Sequence, residues 1–339
     1  MKNLFFAFIA LMFVVAGCSK SDDAAPAPKA DKTELAKTIA TAQDLYDNAV
    51  EGNKEGEYMK GSKDELNAVL EPAKEINAKE DATQAAVDNM DTNLKAAIEV
   101  FETKKVQPIA AEDLVAYYTF DQGEGTTVKD MSGNKHDGTF QVGPKKSGEG
   151  TVQWAEDHNG EAGKAVSFDK GANITVPYST LLNPKEITIS MWVKYTESAP
   201  SNYLISLNRW NGYKFQLQEA NKPFFTPAIE PEGAIDKDSE SITLEKDTWY
   251  QVAVTFGENG MVFYVNGQEA KNWTDAKGVL RTLKEQKDLI IGQDMLSSEV
   301  QADDNSTGEA YFRGSMDNIR IYKKVLTAAQ IDQIYNTEK

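Results

Sequence analysis

The sequence predicts two folded domains, a small bundle of three helices followed by a larger all-β sandwich or barrel. Apolar residues recur at the 3.6-residue period of a helix over residues 31–105. From about residue 112 they change to the two-residue period of a strand, and all five tryptophans lie in this second part. A chain of 339 residues is long enough to bury a separate core in each domain.

A short apolar segment opens the chain. Leu4 to Gly17 carries no charge, follows Lys2 and, at about 1.5 Å per residue, is too short to cross a ~30 Å hydrocarbon core. It therefore predicts a secretory signal peptide over residues 1–17. The ending Val15-Ala16-Gly17-Cys18 resembles a bacterial lipobox, which implies cleavage before Cys18 and lipid attachment to its sulfur. The alternative is an ordinary signal peptide with an incidental cysteine.

The residues after Cys18 predict a tether over 18–30. Ser19 to Asp23 resembles the acidic export signal of lipoproteins that Gram-negative bacteria send to the outer face of the outer membrane. The alternating Ala and Pro of residues 24–30 favour an extended spacer. We therefore expect an outer-membrane lipoprotein exposed at the cell surface, which contacts the membrane through its lipid anchor only. A plain polar tether is the alternative.

Three helices are expected in residues 31–105. Leu35 to Ala49, Leu66 to Ile76 and Val87 to Phe101 each place apolar residues at steps of three and four. Each run follows a capping-box pattern, which begins at Asp31, Ser62 or Asp81. Pro72 predicts that the second helix is kinked or begins later.

The helical region resembles the FIVAR repeats of bacterial surface proteins. The resemblance rests on Gly56-Glu57-Tyr58, on Ala82-Thr83-Gln84 and on residues 93–98. It implies a spacer between the cell envelope and a functional domain, in a family of which some members are thought to touch polysaccharide. A solvated helical stalk is the simpler interpretation.

The second part of the chain contains many short strands. They are expected within Leu114–Phe120, Ala172–Val176, Ile187–Tyr195, Tyr203–Leu207, Tyr213–Leu217, Tyr250–Phe256, Met261–Val265, Leu289–Ile291 and Ile319–Tyr322. Asn-Gly pairs, as at 259–260 and 266–267, favour tight hairpins between them. Residues 189–193 are apolar on both faces, which predicts a covering layer outside the sandwich. A last amphipathic helix follows the capping box of Thr327 and Gln330.

The order of these blocks resembles the laminin-G-like, concanavalin A-like domains of bacterial surface proteins. The matching blocks are 114–121, 130–139, 163–169, 187–194, 249–267 and 314–327, within a domain placed at 112–339. The resemblance implies a jelly roll of two antiparallel sheets, one of them concave, often with a calcium ion. It also implies roles in glycan or protein binding, and some relatives are glucanases.

Composition and motifs exclude several classes of function. The 53 acidic residues outnumber the 36 basic ones, so no nucleic-acid partner is expected. One cysteine and two histidines argue against cysteine-rich and histidine-rich sites. The glucanase motif Glu-x-Asp-x-x-Glu is missing, and its nearest approach begins at Glu245 and has Tyr250 in the last position. We therefore expect no catalytic residues.

A structural calcium site is the expected cofactor site. Calcium takes several oxygen ligands, and Asp130 and Asn134 offer them within one turn. Asp121 and Asp317 lie in family blocks that the resemblance places near the same end. The alternative is a network of Asx turns without metal. His158 and the acidic residues Asp236, Asp238 and Glu240 are interpreted as turn and solvated-loop residues.

Glycan binding needs exposed aromatic rings beside planar polar groups. The candidates are Trp210, Tyr213 and Arg209 in one hairpin, and Trp273 beside Asn272. The sequence thus favours a non-catalytic carbohydrate-binding module on a helical spacer, with glycan or polysaccharide as partner. A protein-binding, adhesive module and a glycoside hydrolase with an unrecognised site remain as alternatives.

Overall fold

The computed structural model describes residues 29–339, apart from Asn53, Glu219, Glu232 and residues 301–310. The predicted signal peptide, Cys18 and most of the tether lie outside the described residues. Within the described part of the chain, no helix is long and apolar enough to cross a membrane.

Three helices form the N-terminal bundle, and a fourth follows the last strand. They are α1 (Thr33–Asn48), α2 (Ser62–Ala78), α3 (Gln84–Thr103) and α4 (Ala328–Glu338). The predicted periodic positions meet in one core, with Leu35, Leu70 and Leu94 fully buried. The Tyr58 ring closes this core by stacking on Phe101 at 4.3 Å.

Three of the four predicted capping boxes are wrong. The N-cap residues are Lys32 for α1 and Gly61 for α2, and neither side chain caps a backbone N–H. For α3 the cap is Thr83, whose hydroxyl accepts from the Ala86 N–H. Only the box of Thr327 and Gln330 forms, at the start of α4. Helix α2 begins at Ser62 and continues through Pro72, so the predicted later start is also wrong.

Sixteen strands are present in the described residues. In chain order they are β1 (Leu114–Tyr118), β2 (Thr127–Val128), β3 (Gly138–Gln141), β4 (Gln153–Ala155), β5 (Ala165–Phe168), β6 (Asn173–Val176), β7 (Ile187–Tyr195), β8 (Ser201–Leu207), β9 (Tyr213–Gln218), β10 (Lys222–Pro227), β11 (Lys237–Asp238), β12 (Tyr250–Gly257), β13 (Gly260–Val265), β14 (Gln268–Trp273), β15 (Leu289–Ile291) and β16 (Gly314–Tyr322). Single 3₁₀ turns lie at Ala111–Asp113, Lys145–Ser147, Thr180–Leu182 and Ser297–Glu299.

The strands form two antiparallel sheets of eight. The first sheet has the order β14-β13-β12-β7-β16-β5-β4, and β1 also pairs with β16. The second sheet has the order β11-β10-β9-β8-β15-β6-β3-β2. Both orders depart from chain order, as in a jelly roll, so the predicted two-sheet sandwich is confirmed.

The main core lies between the two sheets. It contains the fully buried rings of Tyr118, Phe120, Tyr213, Phe215, Phe225, Phe256, Phe263 and Phe312. A smaller cluster packs α4 on the outer face of the first sheet through Tyr264, Tyr322, Ile331 and Ile334. This helix is part of the covering layer predicted from residues 189–193, and Trp192 donates a hydrogen bond to Glu338 near its end.

Candidate functional site

Polar side chains line the outer face of the second sheet. In β9, Tyr213, Phe215 and Leu217 enter the core. Successive side chains of a strand alternate, so Lys214 and Gln216 point to the other face. Strand pairing places Lys214 between Ser206 and Thr226, and Gln216 between Tyr203 and Phe224. These rows of neighbouring residues form the floor of the site.

The hairpin between β8 and β9 forms a wall above this floor. Asn208 and Arg209 adopt left-handed backbone angles, with φ of 53° and 41°. Such angles are strained for a residue like arginine and cluster at functional sites. Gly212 is required, because a Cβ there would lie 2.2 Å from the Leu207 carbonyl oxygen. The turn leaves the Trp210 side chain 49% exposed.

Three charged side chains meet beneath Trp210. The Lys214 ammonium lies 3.4 Å from the centre of the Trp210 ring and 3.3 Å from the Tyr203 hydroxyl. Arg209 Nε lies 2.9 Å from Asp294 Oδ2, and the Asp294 side chain is fully buried. The pair thus brings a carboxylate of the loop after β15 under the β8–β9 hairpin.

Burial perturbs the ionisation of these groups. Desolvation lowers the pKa of Lys214 to about 8, although the carboxylates of Asp236 and Asp294 oppose the shift. Desolvation also raises the pKa of Asp294 to about 6, against the attraction of Arg209. The pKa of Tyr203 rises to about 12 for the same reason. Keeping these charged groups out of water therefore costs the folded state free energy.

Two buried acceptors that line the site have no hydrogen-bond partner among the described residues. They are Gln216 Oε1 in the floor and Asp294 Oδ1, while Asp294 Oδ2 is held in the ion pair with Arg209. Buried polar groups in proteins are normally satisfied. Unpaired acceptors beside one exposed aromatic ring are suited to a ligand that offers hydroxyl donors.

Two adjoining depressions give access to this chemistry. We call the first the Trp210 pocket; its volume is about 280 Å³ and Tyr203, Trp210, Lys214, Gln216 and Asp236 are among its lining residues. The second, the Arg209 cleft, has a volume of about 470 Å³ and Asp294 lies in its wall. Arg209 lines both of them.

Tyr213 is a correction to the predicted ligand-binding residues. Its side chain is fully buried in the core, and its hydroxyl donates to the Leu182 carbonyl oxygen at 2.9 Å. Trp210 and Arg209 lie in the hairpin before it and remain at the surface. Because Tyr213 begins a strand and points inward, its ring cannot stack on a ligand.

The other predicted tryptophan, Trp273, does not line the Trp210 pocket. It ends β14, at the edge of the first sheet. Its indole N–H donates to the Asp238 carbonyl oxygen at 2.8 Å. The ammonium groups of Lys237 and Lys271 lie 4.0 and 4.3 Å from the ring centre. The ring is thus engaged in packing at the sandwich edge.

The predicted calcium ligands do not form one site. Asp130 accepts hydrogen bonds from the backbone N–H groups of Tyr117, Ser132 and His136 and from the Ser132 hydroxyl. Asn134 donates to the carbonyl oxygens of Leu114 and Val115. These two residues build the Asx-turn network that was the alternative interpretation.

The other two predicted ligands lie elsewhere. Asp121 is exposed and lies 3.3 Å from the Lys164 ammonium. Asp317 Oδ2 lies 2.8 Å from His158 Nδ1, and burial raises the pKa of this carboxyl. Among the described residues, one group of metal-binding type places its ligand atoms within 4.8 Å of one another: Asp157, His158 and Asp317. Its histidine ring is already hydrogen-bonded on both nitrogens, to Asp317 and to the Glu338 carbonyl oxygen.

The residues that make the site chemically distinctive carry little signal in the sequence. Asp236 lies exposed in a loop, as expected, and it also lines the Trp210 pocket and accepts a hydrogen bond from Thr226. Lys214 carried one usable signal, since it interrupts apolar residues at alternate positions of a strand. Asp294 could not be recognised from the sequence, because its burial depends on the folding of two loops.

Comparison with known families agrees with this fold. Residues 168–332 match the Laminin_G_3 family, described as the concanavalin A-like lectin/glucanases superfamily. The β-sandwich thus has a concanavalin A-like fold, and the family match covers its residues 168–332. The match covers the two strands that flank the hairpin and the loop that carries Asp294.

A solved domain with a similar fold agrees with this description. Domain 4 of AbnA, a GH43 extracellular arabinanase from Geobacillus stearothermophilus solved with arabinotriose, is 20% identical. The alignment has a TM-score of 0.50 and covers 66% of this chain and 98% of that domain. The binding domain of Paraclostridial Mosquitocidal Protein 1 is 16% identical, with a TM-score of 0.49 over 67% of this chain and 53% of the other.

One curated relative matches a small part of the chain. A gellan lyase of a Bacillus species is 36% identical over 81 residues, which are 24% of this chain and 3% of the lyase. The chain therefore spans a very small fraction of that enzyme. The match does not show that this chain has lyase activity.

Proposed function

We propose that the concanavalin A-like domain is a non-catalytic carbohydrate-binding module whose site is the Trp210 pocket with the adjoining Arg209 cleft. The observation that carries this proposal is the combination of a half-exposed indole with unpaired polar atoms buried beside it. Sugars present apolar C–H faces and rings of hydroxyl groups, so they need both kinds of surface.

The buried charges support a ligand role for the site. An ion pair such as Arg209 with Asp294 contributes little net stability when it is buried, because desolvation offsets the attraction. The left-handed angle of Arg209 adds strain. Groups that destabilise the fold and line a pocket are candidates for function.

The charges also indicate the class of ligand. Arg209 and Lys214 are balanced by Asp236 and Asp294 around the Trp210 pocket and the adjoining Arg209 cleft. A site with both signs of charge offers donors and acceptors to hydroxyl groups without a net attraction for anions. Neutral sugars fit this arrangement best. The solved arabinanase domain with arabinotriose is a fold relative whose ligand belongs to this class.

The rest of the chain is consistent with display on the cell surface. We propose that Cys18 carries the lipid anchor of an outer-membrane lipoprotein and that the FIVAR-like bundle of residues 31–105 acts as a spacer. The linker after the bundle is held on α4, since Gln330 Nε2 donates to the carbonyl oxygens of Gln107 and Pro108. A protein-binding, adhesive role would use the same display.

A glycoside hydrolase is the second candidate, because Asp294 has the raised pKa that a general acid needs. The geometry favours binding instead. The Asp294 side chain is fully buried behind Arg209, so it cannot reach the oxygen of a glycosidic bond at the surface. The other carboxylates of the Arg209 cleft are engaged elsewhere, since Asp288 accepts from the Tyr178 N–H and Glu299 pairs with the Lys287 ammonium.

A glycan array that includes arabinan oligosaccharides, probed with residues 112–339, tests the proposal. We expect binding that Trp210→Ala weakens roughly two- to tenfold, the equivalent of one lost stacking contact. Trp273→Ala is the matched control and should leave binding unchanged. Binding that survives Trp210→Ala would contradict the site. Release of reducing ends by the pure protein would contradict the non-catalytic claim.

A further inference from the structure

We infer that the binding site continues across the β8–β9 hairpin into a second cleft and takes a segment of a neutral polysaccharide, not a terminal sugar. This inference rests on the proposed function of the Trp210 pocket. The second cleft, which we call the Asn211 cleft, has a volume of about 530 Å³ and is lined by Asn208, Asn211, Glu230, Arg281, Thr282 and Lys284, with other residues. That volume lies in the usual range of ligand sites.

The three depressions meet at one hairpin. Asn208 lines both the Asn211 cleft and the Arg209 cleft. Arg209 in turn lines the Arg209 cleft and the Trp210 pocket. A ligand stacked on the exposed Trp210 ring therefore lies at one end of three adjoining depressions. A single sugar contacts only part of this surface, whereas a chain can follow it.

The walls of the Asn211 cleft offer the planar polar groups that bind hydroxyls. Arg281 Nη2 donates to the carbonyl oxygens of Gly233 and Ile229, at 3.0 and 3.4 Å, which holds the guanidinium in the wall. Its Nε is buried and has no partner among the described residues. The Asn211 amide is exposed, and its contact with Asn208 Oδ1 is long, at 3.5 Å. The Asn211 amide is thus available to a ligand, and the Arg281 guanidinium adds a fixed polar plane to the wall.

The charges of this cleft are balanced as well. Glu230 accepts a hydrogen bond from the Thr282 N–H at 3.0 Å and lies 3.6 Å from Lys185. Arg281 and Lys284 line the cleft together with Glu230 and Glu285. The cleft therefore repeats the mixed polarity of the Trp210 pocket, as expected if successive sugars of one neutral chain occupy both.

Titration calorimetry with a length series tests this inference. The probes are fragments of two, four and six sugars from partial acid hydrolysis of the polysaccharide that binds best on the array. We expect affinity to rise with the length of the fragment, since longer fragments reach the Asn211 cleft. Asn211→Ala should lower the affinity for the hexamer roughly two- to tenfold, as for one lost hydrogen bond, and leave the dimer unchanged. Lys284→Ala, which also changes the cleft lining, should act in the same direction.

The controls separate the two proposals. Trp210→Ala should weaken all lengths, and Asn272→Ala, an exposed amide on β14, should weaken none. The inference is overturned if affinity does not depend on length, or if neither Asn211→Ala nor Lys284→Ala reduces hexamer binding. Failure of every fragment to bind, or indifference to Trp210→Ala, would instead overturn the proposed function itself. Unchanged melting temperatures show that each variant is folded.

Discussion

Asp294 shows at the scale of a single residue how function and stability oppose one another. Its carboxyl is buried, lies beside Arg209 and has a pKa raised from 3.8 to about 6 by desolvation. The folded state therefore binds this proton more tightly than the unfolded chain does. By linkage, the protein loses stability as pH rises from about 4 to 6, and the loss is complete above the folded pKa.

Asp294→Asn should remove this pH dependence. At pH 7 the variant should be more stable than the wild type by up to about 3 kcal/mol, the equivalent of a shift from 3.8 to about 6. At pH 4 the two proteins should be nearly equal. Melting temperatures of both proteins between pH 4 and 8 provide the measurement. Parallel curves over this range would show that the carboxylate is not held out of water.

The same residues show what could and could not be inferred before the structure. Tyr213 and Trp210 are three positions apart, and only the length of the hairpin decides that one enters the core and the other remains exposed. Trp210 and Arg209 could be chosen from their turn context. Asp294 could not, because its burial arises from contacts between segments that are distant in sequence.

At the scale of elements, periodicity predicted helices and strands better than local capping patterns predicted helix ends. The core positions of α1, α2 and α3 lie where the 3.6-residue spacing put them. The capping boxes at Asp31, Ser62 and Asp81 fail, because a box requires the first residue to be the N-cap and tertiary contacts start these helices elsewhere. The Asp31 backbone, for example, exchanges two hydrogen bonds with the Gln84 side chain of α3.

The box of α4 gives a test at this scale. Thr327 Oγ1 accepts from the Gln330 N–H at 3.2 Å, and Gln330 Oε1 accepts from the Thr327 N–H at 2.9 Å. Thr327→Ala should therefore destabilise the sandwich by about 1 kcal/mol, the usual effect of losing an N-cap. Chemical denaturation measures the change. Thr337→Ala, an exposed position near the end of the same helix, is the control and should have little effect.

A larger effect of Thr337→Ala than of Thr327→Ala would show that the cap does not fix α4 on the first sheet. The same comparison bears on the covering layer. If α4 detaches, Tyr264 and Tyr322 become exposed to solvent. The free energy of unfolding should then fall by more than the loss of one N-cap would cause.

At the scale of the whole molecule, two separate cores predict two unfolding units. The bundle buries Leu94 completely among its own helices, and the sandwich core contains none of these residues. Leu94→Ala should lower the stability of the bundle by about 2–5 kcal/mol, the usual cost of such a cavity, and leave the sandwich transition in place. Calorimetry of residues 29–339 provides the measurement. One shared transition that moves as a whole would contradict the division.

Anchoring is a property of the whole protein too. If Cys18 carries the lipid, Cys18→Ser should move the protein from the membrane fraction to the soluble one and abolish labelling with palmitate, because the attached acyl chains supply the membrane affinity. The fractionation is done on cells that produce the full chain. A variant that stays with the membrane, beside a wild type that takes up no palmitate, would contradict the proposed anchor.

The most direct test of the central claim, glycan binding at the Trp210 pocket, is a titration followed through the indole N–H signals of the five tryptophans. The sample is ¹⁵N-labelled 112–339 with the best oligosaccharide from the array, and Trp210→Ala assigns the Trp210 signal. We expect the Trp210 signal to shift in a saturable way, while those of Trp192 under α4 and Trp273 at the sandwich edge stay in place. Saturable shifts of Trp273 without any change at Trp210 would contradict the account.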